Sequence, residues 1–111
     1  MNISDIAKQI GESVITHQHE TFKKRKDDDL THIINLSVTI SGISSFLKEN
    51  KISKNEINEV ASCLKNIAKE LFIKHCVGCR DAEFAQETEE EFIEDTDDYF
   101  DYIFKNKKHP Y

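Results

Sequence analysis

Glycine and proline are scarce in this chain, with 3 Gly and 1 Pro among 111 residues. An all-β sandwich needs many tight turns and nucleotide-binding α/β folds need glycine-rich loops, so both classes are disfavoured. A chain of this length with 38% apolar residues supports one modest core. We therefore expect residues 1–104 to form a single helical domain and residues 105–111 to form a basic tail.

The sequence also predicts no secretory signal and no membrane span. The amino terminus has neither the basic start nor the apolar run of a secretory signal. The most apolar stretch, Ile33 to Leu47, is interrupted by polar residues and is shorter than the roughly 18 residues that a membrane span requires. Three cysteines cannot all pair within one chain, which favours reduced thiols. These features predict a cytoplasmic protein without a membrane segment.

Hydrophobic periodicity predicts an all-α domain, an antiparallel four-helix bundle-like arrangement with short connections. The first helix is expected over about residues 3–25, with Asn2 as its N-cap. A reversal from the basic residues 23–26 to the acidic residues 27–29 marks the boundary with the second helix. The apolar face predicted for the first helix consists of Ile3, Ile6, Ala7, Ile10, Val14 and His17.

The second and third helices have different signatures. The second repeats apolar residues as a heptad and is apolar over much of its circumference, so we expect it at the centre of the bundle or in a homodimer interface. The third begins with Ser53 and Glu56, which fit a reciprocal capping box. Gly78 is expected to end that helix in a left-handed conformation. The heptad residues are Ile33, Leu36, Ile40, Ile43 and Leu47.

The carboxyl-terminal part is densely acidic. Residues 1–80 hold 12 basic and 10 acidic groups, whereas residues 81–104 hold 11 acidic groups and no basic group. The net charge of the whole chain is −6. We expect an acidic helix here, either continuous or broken near Asp95. If it buries Phe100 and Ile103, Tyr99 or Tyr102 should emerge beside carboxylates. Such crowding of like charge destabilises a helix. We therefore expect the negative electrostatic field of these carboxylates to attract a binding partner.

Carboxylates interleaved with tyrosines suit a protein interface, because tyrosine offers apolar area and carboxylates steer a cationic partner. In size and charge the chain resembles the small acidic immunity proteins of bacterial toxin systems. That resemblance implies a non-catalytic inhibitor, immunity- or antitoxin-like, that occludes the basic surface of a partner such as a nuclease toxin. A solvated acidic face with no partner is the alternative. The candidate partner-binding residues are Glu87, Glu90, Glu91, Glu94, Asp95, Asp97, Asp98, Tyr99, Asp101 and Tyr102.

A His-Cys-x-x-Cys cluster, His75, Cys76 and Cys79, is the second feature that carries chemistry. Zinc takes four ligands of these types, so a zinc-stabilised module is an alternative function. The CxxC pair supplies only two ligands and a second pair is not evident, although His17 and His19 on the first helix could converge with it. Structural thiols with no cofactor are the other interpretation. A redox role is disfavoured because the motif lies at the end of a helix, where the dipole does not favour a thiolate.

Arg25 and His32 are separated by six residues. This spacing resembles the Arg-x(4–6)-His pattern of the HEPN superfamily, helical-bundle domains that include ribonucleases. The resemblance implies Arg25 as a charge clamp on the scissile phosphate and His32 as a proton-transfer group. The three aspartates between them would repel RNA, which favours a charged loop and a partly exposed surface histidine instead.

Overall fold

The computed structural model describes residues 2–79 and 88–106. Four helices fill most of these ranges: α1 (Ile3–Arg25), α2 (Asp29–Glu49), α3 (Lys54–Gly78) and α4 (Glu89–Asn106). They pack together as a helical bundle, which confirms the all-α class predicted from periodicity. α1 contacts α2 and α3, and α4 contacts α2 and α3 on the other side. Within the described ranges α1 and α4 do not touch, so α2 and α3 separate them.

Local hydrogen bonds explain where the helices begin. The side chain of Asn2 accepts from the backbone N–H of Asp5, and that of Asp28 accepts from the N–H of Thr31. Ser53 Oγ accepts from the N–H of Glu56 at 3.2 Å. Each bond satisfies an N–H group that has no partner within its helix, so these caps define the boundaries expected from the sequence.

The capping box at α3 is only half formed. The carboxylate of Glu56 does not return to Ser53 but accepts a hydrogen bond from Ser4 Oγ on α1 at 2.9 Å. Ser4 is buried, so the bond ties the start of α1 to the start of α3. The reciprocal box was wrong because a tertiary donor takes the Glu56 carboxylate.

The end of α3 differs from the one expected from the sequence. Gly78 is the last residue of α3, and the described part of the chain contains no glycine with positive φ. The cap residue is Cys79, at φ −101° and ψ 7°, so the predicted left-handed glycine cap was wrong. The left-handed positions are instead Lys26, at φ 53°, and Lys51, at φ 61°, in the two short connections.

The core lies between α1, α2 and α3, with α4 closing one side. Phe72, Phe100, Ile15 and Leu64 are among its fully buried side chains. The heptad of α2 faces this core as predicted, with Ile43 partly buried against it. The buried apolar set is Ala7, Ile15, Phe22, Ile33, Leu36, Ile40, Leu47, Val60, Leu64, Ala68, Phe72, Phe100 and Ile103.

The face that α1 turns inward was predicted wrongly. The helix buries Ala7 as expected, but its other inward residues include Gly11, Ile15 and Phe22. Gly11 allows α3 to approach so closely that a Cβ at this position would lie 2.7 Å from Cδ1 of Leu64. The predicted stripe is rotated towards solvent, and its exposed members are Ile3, Ile6, Ile10, Val14 and His17.

α2 is long and apolar enough to cross a bilayer by length and composition, contrary to the expectation that its apolar stretch is too short. Core helices of bundles pass the same test. α2 contacts all three other helices, as a central helix does.

Candidate binding face of the acidic helix

α4 is one continuous helix through Asp95, so of the two alternatives, a continuous helix or one broken near Asp95, the structure shows the continuous one over Glu89–Asn106. Its inner side is held by Phe100 and Ile103, both buried as expected. The ring of Phe100 lies 5.7 Å from that of Phe72 on α3, between centroids, and packs at the same distance against Phe104. This aromatic contact sets which side of α4 faces solvent.

Ion pairs reinforce the docking of α4 on α3. Lys69 Nζ lies 2.7 Å from Asp97 Oδ1 and 2.9 Å from Asp101 Oδ1, and Lys65 Nζ lies 3.0 Å from Asp101 Oδ1. Burial alone would lower the pKa of Lys69, but hydrogen bonds to the two carboxylates raise it overall. Burial would likewise raise the pKa of Asp101, but the two lysines lower it overall. Asp97 and Asp101 therefore hold the helix in place, a role that sequence reasoning missed.

The remaining acidic residues face outward. At 100° per residue, Glu91, Asp98 and Tyr102 lie nearly opposite Phe100, with Asp95 and Tyr99 beside them. Tyr99 is 42% exposed and Tyr102 is 61% exposed, as expected for tyrosines that emerge next to carboxylates. We define the acidic face as Glu91, Glu94, Asp95, Asp98, Tyr99 and Tyr102.

The carboxylates of the acidic face have no cationic partner among the described residues. Glu90 is also exposed, but it lies towards the side of Asp97, away from Tyr99. Glu87 lies outside the described residues. The structure thus divides the predicted set into an outward face and an ion-paired inner edge.

A second acidic segment approaches this face. Burial raises the pKa of the Tyr99 hydroxyl, and the carboxylates of Asp29 and Asp28 raise it further. Asp28 and Asp29 begin α2, so the aspartates of the first loop lie near the Tyr99 end of the acidic face. The sequence pattern does not predict this proximity, because nothing local in it shows that α2 begins near α4.

Three histidines, two of them buried, form a cluster between α1, α2 and α3. The ring of His32 stacks on Phe22 at 4.1 Å between centroids, and the ring of His19 lies 6.1 Å from that of His32 and 6.0 Å from that of His75. Burial lowers the pKa of His32 to about 4, with a further contribution from His19. Burial also lowers the pKa of His19. The imidazoles of His19 and His32 are therefore neutral core groups near pH 7.

His32 is 4% exposed, so the expectation of a partly exposed surface histidine was wrong. Arg25 is exposed in the last turn of α1. The two side chains therefore do not share one exposed surface, as the ribonuclease alternative requires for phosphate contact. That alternative stays a prediction without geometric support.

The cysteine cluster is only partly assembled. Cys79 Sγ lies 3.8 Å from Nδ1 of His75, one turn earlier on the same helix. Cys76 is half-buried, and burial raises its pKa to about 12, which keeps it a neutral thiol. In the ranges that the structure covers, no three His, Cys, Asp or Glu side chains are grouped to hold a metal ion. The zinc site stays a prediction, for which His75 and Cys79 are the pair brought together.

Comparisons with family models, with curated proteins and with solved structures each find no match to this chain.

Proposed function

We propose that this chain is an immunity- or antitoxin-like binding protein that places the acidic face of α4 on a basic surface of a partner protein. It acts by occlusion and without catalysis, in the cytoplasm. A phosphate-binding cleft of a nuclease toxin has the required chemistry, because such a cleft is lined with cations that exposed carboxylates neutralise.

The observation that carries this proposal is the arrangement of exposed tyrosines, on a firmly docked helix, among carboxylates that pair with no cation of the described ranges. Phe100 and the Lys69 ion pairs hold α4, so the acidic face is preorganised and loses little entropy on binding. Tyr99 and Tyr102 supply apolar area at low entropic cost. A purely solvating surface has no need for tyrosines exposed in this pattern.

The negative electrostatic potential around the acidic face also supports a cationic partner. The carboxylates of Asp28 and Asp29, at the start of α2, act on the Tyr99 hydroxyl through their charge, so negative charge from a distant part of the sequence adds to that of α4. Convergent charge of one sign accelerates association with a cationic partner, and the rate falls as salt is added.

The test uses the full chain as bait in a lysate of its source organism, at low and high salt. Captured proteins are identified and produced, and the chain is titrated against the nuclease or other enzymatic activity of each. Binding is then compared for wild type and for the triple variant Glu91→Gln, Asp95→Asn, Asp98→Asn. This variant removes three charges from the acidic face without changing side-chain size. We expect its affinity to fall by roughly tenfold or more at low salt, mainly through the association rate.

The matched control is Glu12→Gln, Glu59→Gln, Glu70→Gln, which removes the same charge from exposed positions on α1 and α3. It should bind like wild type. Equal losses in both triple variants would show that only net charge matters and would overturn the assignment of the face. A partner that binds wild type and both triple variants with equal affinity, at low and at high salt, would also overturn the assignment of the face.

A further inference from the structure

An apolar groove runs between α1 and α2, on the side of the bundle away from α3. It encloses about 510 Å³ and is walled by Ile3, Ile6 and Ile10 of α1 and by Ile43 and Phe46 of α2. Gly42 lies in its lining, and a Cβ built there would meet no atom within 4 Å. We call this feature the α1–α2 groove. It exists because α1 turns Gly11, rather than its isoleucine stripe, towards α3.

Exposed apolar side chains concentrate at this groove. In the described ranges seven large apolar residues are exposed; four of them line the groove, and a fifth, Val14, lies one helical turn beyond Ile10. Ile10 and Phe46 are more than half exposed, at 56% and 53%. The other three are Ile3, Ile6 and Val14, while the two elsewhere are the tyrosines of the acidic face.

The size of the patch matches one half of a protein interface. From the exposed fractions, the five side chains present on the order of 400 Å² of apolar surface. Two such patches in contact bury about 800 Å², and with the polar rim that interfaces carry the total is roughly 1,300 Å². Stable protein interfaces bury about 1,200–2,000 Å², so self-association through this patch reaches the required area.

This patch differs from the rest of the surface because it lacks charged side chains. α2 has no Asp, Glu, Lys or Arg between Leu30 and Leu47, and the α1 residues that line the groove are Ile or Ala. Each copy carries a net charge of −6, and contact through an uncharged face avoids placing like charges of the two copies against each other. Among the described residues α4 packs on α2 and α3 and not on α1, and no residue of the acidic face lines the groove.

We propose that the α1–α2 groove is the interface of a homodimer, occupied by the same face of a second copy. A two-fold axis places the Ile6–Ile10 ridge of one copy against the Gly42 region of the other, an isologous contact. The dimer leaves both acidic faces free. This inference does not depend on the partner proposed for the acidic face, since it rests on a different surface.

Sedimentation equilibrium of the full chain tests the proposal. Wild type should sediment as a dimer of 12.9 kDa subunits. Ile10→Glu places two carboxylates in the two-fold interface and should raise the dimer dissociation constant by about 100-fold, since unpaired buried charge is strongly unfavourable. Phe46→Glu on α2 should do the same. Both positions are more than half exposed, so helicity and cooperative unfolding should survive in the isolated monomers.

The matched control is Asn66→Glu, which adds the same charge at an exposed position of α3. It should remain dimeric. A wild-type chain that stays monomeric at high micromolar concentration overturns the proposal, as does a dimer that survives both groove variants. Monomers that instead bind phosphatidylcholine vesicles through the groove, with binding lost in Ile10→Glu, would assign the groove to lipid and also overturn it. None of these outcomes changes the result expected for the acidic-face variants.

Discussion

Replacing Gly11 with alanine tests the packing that sets the orientation of α1. An alanine Cβ would lie 2.7 Å from Cδ1 and 2.8 Å from Cδ2 of Leu64, and 3.1 Å from Cδ1 of Ile43. Carbon atoms in contact prefer about 3.5–4.0 Å. Leu64 is fully buried, and both of its methyl groups face Gly11, so rotating the side chain exchanges one close contact for another.

Two effects of Gly11→Ala oppose each other. Alanine is favoured over glycine in a helix interior by about 1 kcal/mol. Overpacking a filled core costs about 1–3 kcal/mol, because α1 and α3 must move apart. We therefore expect the free energy of unfolding to fall by about 1 kcal/mol. Urea denaturation followed by circular dichroism measures it.

Gly42→Ala is the matched control, since the same change in the middle of α2 meets no neighbour within 4 Å. It should stabilise the protein by about 0.5–1 kcal/mol. Both variants are measured at two protein concentrations, because Gly42 lies in the α1–α2 groove and dimerisation would contribute at the higher one. In a Leu64→Ala background Gly11→Ala should become stabilising. If Gly11→Ala stabilises the wild-type chain as much as Gly42→Ala does, the close approach of α1 and α3 is refuted.

Two further predictions concern titration and ion pairing. The pKa of His32 is about 4 in the folded state, against 6.5 for a histidine exposed to water, so unfolded chains bind more protons between these values. The free energy of unfolding should therefore fall by up to about 3 kcal/mol as the pH drops from 7 to 4, measured by urea denaturation at each pH. Lys69→Met removes two ion pairs to α4 and should destabilise the protein by about 1 kcal/mol in the same assay at pH 7.

Each of these predictions has a control. His32→Leu should remove more than half of the stability lost between pH 7 and 5, and an unchanged pH profile would contradict a neutral buried His32. Lys74→Met changes an exposed lysine of the same helix that forms no ion pair with a described residue. If Lys69→Met is no more destabilising than Lys74→Met, the ion pairs do not hold α4.

Helix starts were the part of the fold that sequence reasoning predicted best. Asn2, Asp28 and Ser53 each cap an N–H group three residues further along the chain. Such a bond is local, so residue type and spacing are sufficient to predict it. The hydrogen bond from Ser4 to Glu56 joins residues that are 52 positions apart, and no local sequence pattern indicates it.

The candidate site was predicted only in part, because some of its features are local to α4 and others depend on the packing of α4 against other helices. The burial of Phe100 and the exposure of Tyr99 follow from the periodicity of α4 itself. That Asp97 and Asp101 are taken by lysines of α3 depends on how two helices align. The histidine cluster likewise joins residues from α1, α2 and α3, so it could not be read from any one segment.

By itself, the order of residues in this chain determined four helices, the places where the first three begin and a concentration of negative charge near the carboxyl end. Those properties depend on neighbours within one or two turns. Only tertiary packing decided which side of α1 is buried, because its isoleucine stripe and its Gly11–Ile15 stripe compete and α3 selects the one that allows closer approach. The same packing decided which carboxylates α3 neutralises and which remain exposed, since Coulomb energy depends on distances between helices that the local pattern does not contain.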